Sequence, residues 1–267
     1  MPEEAAALQP GIAVVSLARV ILVEDEPLVA MMMEDLLTDL GCEIAGSFGS
    51  LDAALGWVAA ATMLLGVLGA AYHWDMRRIL AFHIVSQIGY ILLAIALGGE
   101  AGNAATLFYT VHHIVVKANL FLIAAIVWRL TGSYDLRRIG GLAAARPWLG
   151  WLFLVPALSL VGIPPLSGFF AKLLLLRECF AGGHAAWGII ALLVGLLTLY
   201  SMSKVWIEAF WKPHPDAGWA PPAGARIEAA SAIAALLALA TTAIGAAPDT
   251  FLRFASRAAA GLAGGGP

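Results

Sequence analysis

The sequence predicts an all-α integral membrane protein with six transmembrane helices, the fourth broken at Pro164 and Pro165, preceded by a short N-terminal α/β segment. Three observations carry this expectation. Of the 267 residues 61% are apolar and only 12% charged, with a mean hydropathy of +0.87, whereas a soluble domain carries about 25% charged residues. A water-soluble globule is thereby excluded. The charges also change sign along the chain. Residues 1–56 hold ten acids and one base, Arg19, a net of −9, and residues 57–267 hold fourteen bases and eight acids, a net of +6. Finally, from residue 53 onward the chain supplies six runs long enough for the roughly 20 apolar residues that cross about 30 Å of hydrocarbon.

In chain order, residues 1–18 read as a disordered N-terminus, and their acidic start, MPEEAAALQP, is unlike a signal peptide. Residues 19–55 form an incomplete α/β segment: a β run over 19–23, an amphipathic helix over 27–40 ended by Gly41, and a short strand over 43–45. Residues 56–267 form the membrane domain, whose first span borrows Ala53 to Gly56 to reach full length. The spans fall at about 53–72, 79–97, 104–130, 148–178, 185–210 and 227–246, joined by segments rich in Gly, Pro or charge. A last stretch, 250–262, places Arg253 and Arg257 on one side of a short helix and reads as interfacial. Cys42 and Cys179 have no neighbour at metal-ligand spacing, so neither zinc nor a disulfide framework is predicted.

Basic residues in short loops set orientation. Arg77 and Arg78 lie in loop one, Arg137, Arg138 and Arg146 in loop three, Lys212 and Arg226 in loop five, while loop two has none. Loops one, three and five are therefore expected to be cytoplasmic and both termini outside.

Ionisable groups within spans cost about 2.5–3.5 kcal/mol each on insertion scales and mark candidate functional sites. Lys117 is the fourteenth of 27 residues in the third span, near the midplane, and Tyr109, His113 and Lys117 repeat at i, i+4, i+8 as one polar stripe. Desolvation disfavours the charged form of a lysine held there, which lets it release and regain a proton, and imidazoles titrate near neutrality and can pass that proton on. His112 points away from the stripe. In the fourth span Pro164 and Pro165 remove two backbone donors and force a break close to Gly168, with Lys172 seven residues on. Irregular backbone at membrane depth survives only where protein or a water-filled cavity surrounds it, and broken helices recur in ion-coupled transporters. Lys204 and Glu208, at i, i+4 in the fifth span, can pair with each other. His83, Ser86 and Gln87 share a face of the second span and either line a hydrated path or bond between helices.

The strings DMRRILAFHIVSQIGYILL (75–93), FYTVHHIVVKANLFL (108–122) and LSLVGIPPLSGFFAKLLLL (158–176) resemble, in order and spacing, the antiporter-like membrane subunits shared by respiratory complex I and the multisubunit cation/proton antiporters of the Mrp (Mnh, Pha) type. HHIVVK and WIEAFW are closer to the D-type subunit of the antiporters. The resemblance implies that Lys117 is the lysine of a central hydrophilic axis, Lys172 the lysine beside a broken helix, and His113 the histidine between them. Tyr109 stands where complex I relatives often carry another histidine. It implies a multi-pass subunit of the bacterial inner membrane with other antiporter subunits, protons, Na⁺ or K⁺ and the lipid bilayer as partners, no nucleic acid and no cofactor. Relatives are built of two inverted repeats, and this chain matches the second alone, so a truncated subunit is expected, without transport of its own. The alternative is a proton-pumping subunit of NADH:quinone oxidoreductase. No haem, flavin or iron–sulfur ligand pattern is present, so any redox chemistry would fall to partner subunits.

Residues 19–55 resemble the opening of a response-regulator receiver domain, with Glu24 and Asp25 where receivers hold an acidic pair for magnesium. No phosphoacceptor follows, and Asp52 belongs to a helix, so the pair reads as vestigial and no metal site is predicted. The juxtaposition suggests a non-functional fusion product rather than a receiver-linked signalling protein.

Overall fold

The computed structural model describes residues 18–222 and 224–263, so nearly all of the expected disordered segment lies outside the described residues. The chain divides into two compact units at Ala54/Leu55.

In the first unit, β1 (Arg19–Val23) and β2 (Glu43–Phe48) pair in parallel around α1 (Pro27–Asp39), with an irregular register between Val20 and Ile21. Pro27 sits in the first turn of α1, where its missing N–H costs nothing. Gly41 takes φ 79° to end the helix, and Cys42 N–H and Gly41 N–H bond back to Leu37 O and Thr38 O. β2 runs three residues beyond the expected 43–45 because its pairing with β1 continues to Phe48. α1 buries no residue, and Leu22 alone of β1 is buried.

The membrane helices are α2 (Leu51–Tyr72), α3 (Met76–Leu97), α4 (Gly99–Thr131), the short α5 (Leu142–Ala145), α6 (Pro147–Val161), α7 (Ser167–Ala181), α8 (Ala185–Val205), α9 (Glu228–Ala246) and α10 (Pro248–Ala263). A π-helical turn over Trp206–Trp211 continues α8. Among the described residues five helices are long and apolar enough to cross a membrane: α2, α3, α4, α8 with its π turn, and α9. The fourth expected span is broken at Pro164 and Pro165, as the sequence predicts. It is two helices of 15 residues each, about 22 Å apiece at 1.5 Å per residue, separated by Gly162 to Leu166.

The break has a local cause. Gly162 takes φ 98°, and Gly162 N–H and Ile163 N–H close α6 onto Ser159 O and Leu158 O. Pro164 and Pro165 cannot donate the bonds that would continue it. Packing then fixes the gap. A Cβ on Gly168 would overlap the Ser159 carbonyl, and one on Gly245 of α9 would overlap the Pro165 carbonyl. Side-chain-free positions on two helices thus seat the irregular backbone inside protein. α4 is the central helix, packed by α3, α6, α7, α9 and α10. α10 meets it through Phe251, whose ring stands edge-on to Phe108 at 5.3 Å.

Loops one, three and five meet at one end. Loop one reads Trp74-Asp75-Met76-Arg77-Arg78 and loop three Tyr134-Asp135-Leu136-Arg137-Arg138, and the two pair as a short antiparallel bridge, Met76 N–H to Tyr134 O and Leu136 N–H to Trp74 O, both 2.9 Å. Asp75 caps α3 through Arg77 N–H and Arg78 N–H, and Arg77 lies 4.0 Å over the Tyr134 ring. Asp135 accepts from the Arg137 guanidinium, which holds its carboxyl below the usual carboxylate range. From loop five, Lys212 reaches Leu136 O at 3.2 Å, and its own carbonyl accepts from Gly141 N–H at 2.6 Å.

Gly168→Ala is expected to lower the stability of the chain in detergent by at least the ~1–3 kcal/mol typical of overpacking, read as an earlier thermal transition. An unchanged transition would contradict the packing of α7 on the α6 carbonyls.

Candidate functional site

α4 brings Tyr109, His112, His113 and Lys117 to the interior, and α7 brings Lys172. Lys117 and Lys172 are only 6% and 8% exposed, and neither has an acidic partner among the described residues. Each is held by a backbone carbonyl. Lys117 Nζ donates to Leu80 O of α3 at 3.2 Å, and Lys172 Nζ donates to Val161 O at 2.7 Å, the last carbonyl of α6. Lys172 sits in the second turn of α7, lies 5.1 Å from the centre of the Tyr90 ring, and lines a cleft of about 490 Å³ with Tyr90, Gly162, Ala191 and Gly195. Tyr90 Oη donates to Ala191 O at 2.6 Å.

The expected stripe of Tyr109, His113 and Lys117 is buried, but its members face different partners. Tyr109 turns to α3, where its hydroxyl donates to Gln87 Oε1 at 2.6 Å and its ring stacks on Tyr90 at 5.4 Å. His113 has no hydrogen bond to its Nε2. His112, which the periodicity placed off the stripe, has the longer reach: its Nδ1 lies 2.7 Å from Ser167 Oγ at the start of α7, and its ring stands edge-on to Tyr109 at 5.8 Å. Lys172, Tyr90, Tyr109 and His112 are therefore joined by ring contacts across α3, α4 and α7. No direct hydrogen bond joins Lys117, His113 and Lys172 among the described residues.

The second-span residues bond between helices: His83 Nε2 lies 3.0 Å from Ser201 Oγ of α8, and Ser86 Oγ donates to Met63 O of α2 at 3.0 Å. The expected Lys204–Glu208 pair is not formed. The helix widens into its π turn at Trp206, so Glu208 no longer stands one α-turn above Lys204. Glu208 pairs with Lys212, and Lys204 Nζ donates to Ala71 O and His73 O, both 2.6 Å, covering carbonyls at the end of α2. Pro164 and Pro165 lie in the break itself and Gly168 in the first turn of α7. In the other unit Glu24 and Asp25 follow β1, where Glu24 Oε1 accepts from Glu26 N–H, and among the described residues no group of three potential ligands could hold a metal.

Among the described residues several buried polar atoms have no partner: His83 Nδ1, Gln87 Nε2, His112 Nε2, His113 Nε2 and both amide atoms of Asn119. All lie on α3 and α4. Sequence reasoning missed Asn119, although a carboxamide two residues from a mid-span lysine was visible. It also missed Tyr90, Ser159, Ser167, Ser201 and Thr241, whose partners lie on other helices.

A family of transmembrane domains described as "NADH:quinone oxidoreductase/Mrp antiporter, TM" matches residues 36–201, more than half of the chain. The chain belongs to this family. Proteins similar to it include the D-type subunit of the Na⁺/H⁺ antiporter of Alkalihalophilus pseudofirmus, 47% identical over 154 residues, which cover 58% of this chain and 31% of that protein. Another is the NADH-quinone oxidoreductase subunit N of Desulforudis audaxviator, 36% identical over 66% of this chain and 35% of that one. Among solved structures, a chain in the Mrp complex from Dietzia sp. DQ12-45-1b superposes with a TM-score of 0.73 at 36% identity, covering 79% of this chain and 47% of that chain. The chain thus spans about a third of the length of the curated relatives it matches. As a member of this family it is a multi-pass membrane protein.

Tyr109→Phe is expected to leave the whole Gln87 amide unpartnered in the interior and to cost about 1–3 kcal/mol. Thermal unfolding of the variant in detergent reads this, and a transition equal to that of the parent would show that the Gln87 bond carries no weight.

Proposed function

We propose that the chain acts as a membrane subunit of a monovalent cation/proton antiporter, contributing a proton path along Lys117, His113, His112 and Lys172, with Tyr109 between His112 and the Tyr90 ring. The observation that carries this reading is the pair of buried lysines held by carbonyls rather than acids. A carbonyl accepts from an ammonium and from a neutral amine alike, so neither lysine is locked in its charged form. The unpartnered nitrogens of His83, His112 and His113 support hydration of the region between them, because buried polar groups without protein partners are normally served by water. His83 extends the same polar zone towards Ser201, with Lys204 and Glu208 nearer the loop end as accessory groups.

The 47% identity to the D-type subunit of an Na⁺/H⁺ antiporter favours exchange of Na⁺ or K⁺ and assembly with further antiporter subunits. The 36% identity to a complex I subunit supports a second reading, a proton-pumping subunit of NADH:quinone oxidoreductase that would use the same buried groups. Clustering of Arg77, Arg78, Arg137 and Arg138 at one end of the helices supports cytoplasmic placement of loops one, three and five. With α6 and α7 counted together as one crossing, both termini fall outside. The β–α–β order of residues 19–48 and the position of Glu24 and Asp25 support a receiver-like origin for the first unit, distinct from the membrane domain over 56–267.

Everted vesicles from cells that express the full chain with its partner antiporter subunits should collapse a preformed pH gradient on addition of Na⁺ or K⁺. Lys117→Ala should abolish that response while the chain remains in the membrane at parental amount. Undiminished exchange by the variant would remove Lys117 from the path.

A further inference from the structure

The hydroxyls of Ser159 on α6, Ser167 on α7 and Thr241 on α9 form a closed triangle at the helix break, with edges of 2.6 Å (Ser167–Thr241), 2.9 Å (Ser159–Thr241) and 3.2 Å (Ser159–Ser167). All three side chains are fully buried. Gly168 N–H approaches Ser159 Oγ at 3.4 Å, and His112 Nδ1 stands 2.7 Å from Ser167 Oγ. Each hydroxyl has one proton to donate and two lone pairs with which to accept. The only acceptors these three protons meet among the described residues are one another and His112 Nδ1.

Two arrangements place all three protons. In the first, Ser159 donates to Thr241, Thr241 to Ser167 and Ser167 to a bare Nδ1, so that the ring carries its hydrogen on Nε2. In the second, Nδ1–H donates to Ser167, and the hydroxyls donate in a ring from Ser167 to Thr241 to Ser159 and back to Ser167. The hydroxyls pass from one to the other by rotation about their C–O bonds alone. Neither leaves a hydroxyl proton or Nδ1 unpaired, so neither pays the cost of an orphaned buried group.

We propose that Ser159, Ser167 and Thr241 are a reorienting hydroxyl triangle that serves His112 Nδ1 equally as donor or acceptor, leaving Nε2 as the nitrogen through which His112 exchanges protons while the ring is seated against Ser167. Among the described residues the triangle has no outlet beyond Gly168 N–H, which can only donate, so it balances the seated ring without conducting through it; the ring passes between its two neutral forms when His112 turns away from Ser167 and its Nδ1 exchanges a proton with water. Nε2 is the buried, unpartnered atom on the other side of the ring. In the second arrangement its lone pair takes a proton from a hydronium ion, which leaves as water. The resulting imidazolium keeps donating Nδ1–H to Ser167, and loss of the Nε2 proton to water restores the neutral ring. The use of this exchange in transport rests on the proton-path reading above, whereas the triangle itself does not. Ser167, Ser159 and Thr241 are positioning residues.

The decisive position is Thr241, which touches Ser159 and Ser167 but not His112. With Thr241→Val the ring arrangement cannot close: Ser167 passes its proton to Ser159, and the Ser159 proton has no acceptor. The first arrangement survives through a direct bond from Ser159 to Ser167. Nitrogen-15 NMR of the full chain in lipid bilayers, with labelled histidine and His112→Gln for assignment, should find both neutral tautomers of His112 in the parent. Thr241→Val should shift the ratio about tenfold towards the form with hydrogen on Nε2, and Thr241→Ser should return it. Ser167→Ala should shift it the same way, since a buried Nδ1–H is then orphaned. A single tautomer in the parent, or a ratio that Thr241→Val leaves unmoved, overturns the triangle. Vesicle exchange that fails in the parent while the tautomer shifts hold overturns the proton-path reading and leaves the triangle standing.

Discussion

A helix interrupted inside hydrocarbon exposes carbonyls that lipid cannot satisfy, and the way this chain disposes of them organises everything around them. Leu158 O and Ser159 O are taken by the two N–H groups that close α6. Val161 O is taken by Lys172 Nζ, reaching back from the second turn of α7. The carbonyl and the lysine therefore solve each other's problem: a cation that would otherwise be buried alone meets a dipole that would otherwise be bare. The arrangement requires α7 to start close to the end of α6, and this is what the missing side chains of Gly168 and Gly245 permit. With the two half-helices so placed, Ser159 and Ser167 come together, and Thr241 of α9 can join both. The position of Lys172, the hydroxyl triangle and the seat of α9 all follow from one break in the backbone.

The sequence revealed the parts of the fold that depend on solvent and the parts that depend on one residue's backbone. Hydropathy located α2, α3, α4, α8 and α9 to within a few residues because a lipid-facing helix must be apolar along its length. Pro164 and Pro165 announced the break because proline lacks the donor a helix needs. What could not be read was whether the two halves remain one span, since that depends on how far Gly162 and the prolines turn the chain. The N-terminal unit illustrates the opposite limit. Its β–α–β order follows from Pro27, Gly41 and two short apolar runs, yet its burial of little beyond Leu22 is a property of what packs on it, on which local pattern is silent.

For the site, periodicity within a helix was a sound guide to which residues are buried and a poor guide to what they touch. Lys117 and Lys172 were recognisable from the cost of placing an amine at mid-span. His112 was underrated because the stripe was drawn on α4 alone, whereas its partner Ser167 is 55 residues away on α7. Ser159 and Thr241 are 82 residues apart, and a lone hydroxyl in an apolar helix gives no sign of meeting another. Lys204 and Glu208 failed for a different reason. Their i, i+4 spacing assumes an α-helix, and the π turn at Trp206 changes the angle between them, which transfers Glu208 to Lys212.

The partners given to the titratable groups share a property that distinguishes this interior from an ordinary buried ion-pair network. A carboxylate beside a lysine favours the ammonium and fixes the charge. A carbonyl does not, because it accepts a hydrogen bond from a neutral amine as well. A hydroxyl is similarly indifferent towards an imidazole, donating to a bare nitrogen or accepting from a protonated one. Lys117, Lys172 and His112 are each held in place by such a group, so their geometry is set while their protonation is left free to respond to whatever charge or water approaches. Position without commitment of the proton is a condition that the proposed path must meet, and at Lys117, Lys172 and His112 the backbone and three hydroxyls supply it.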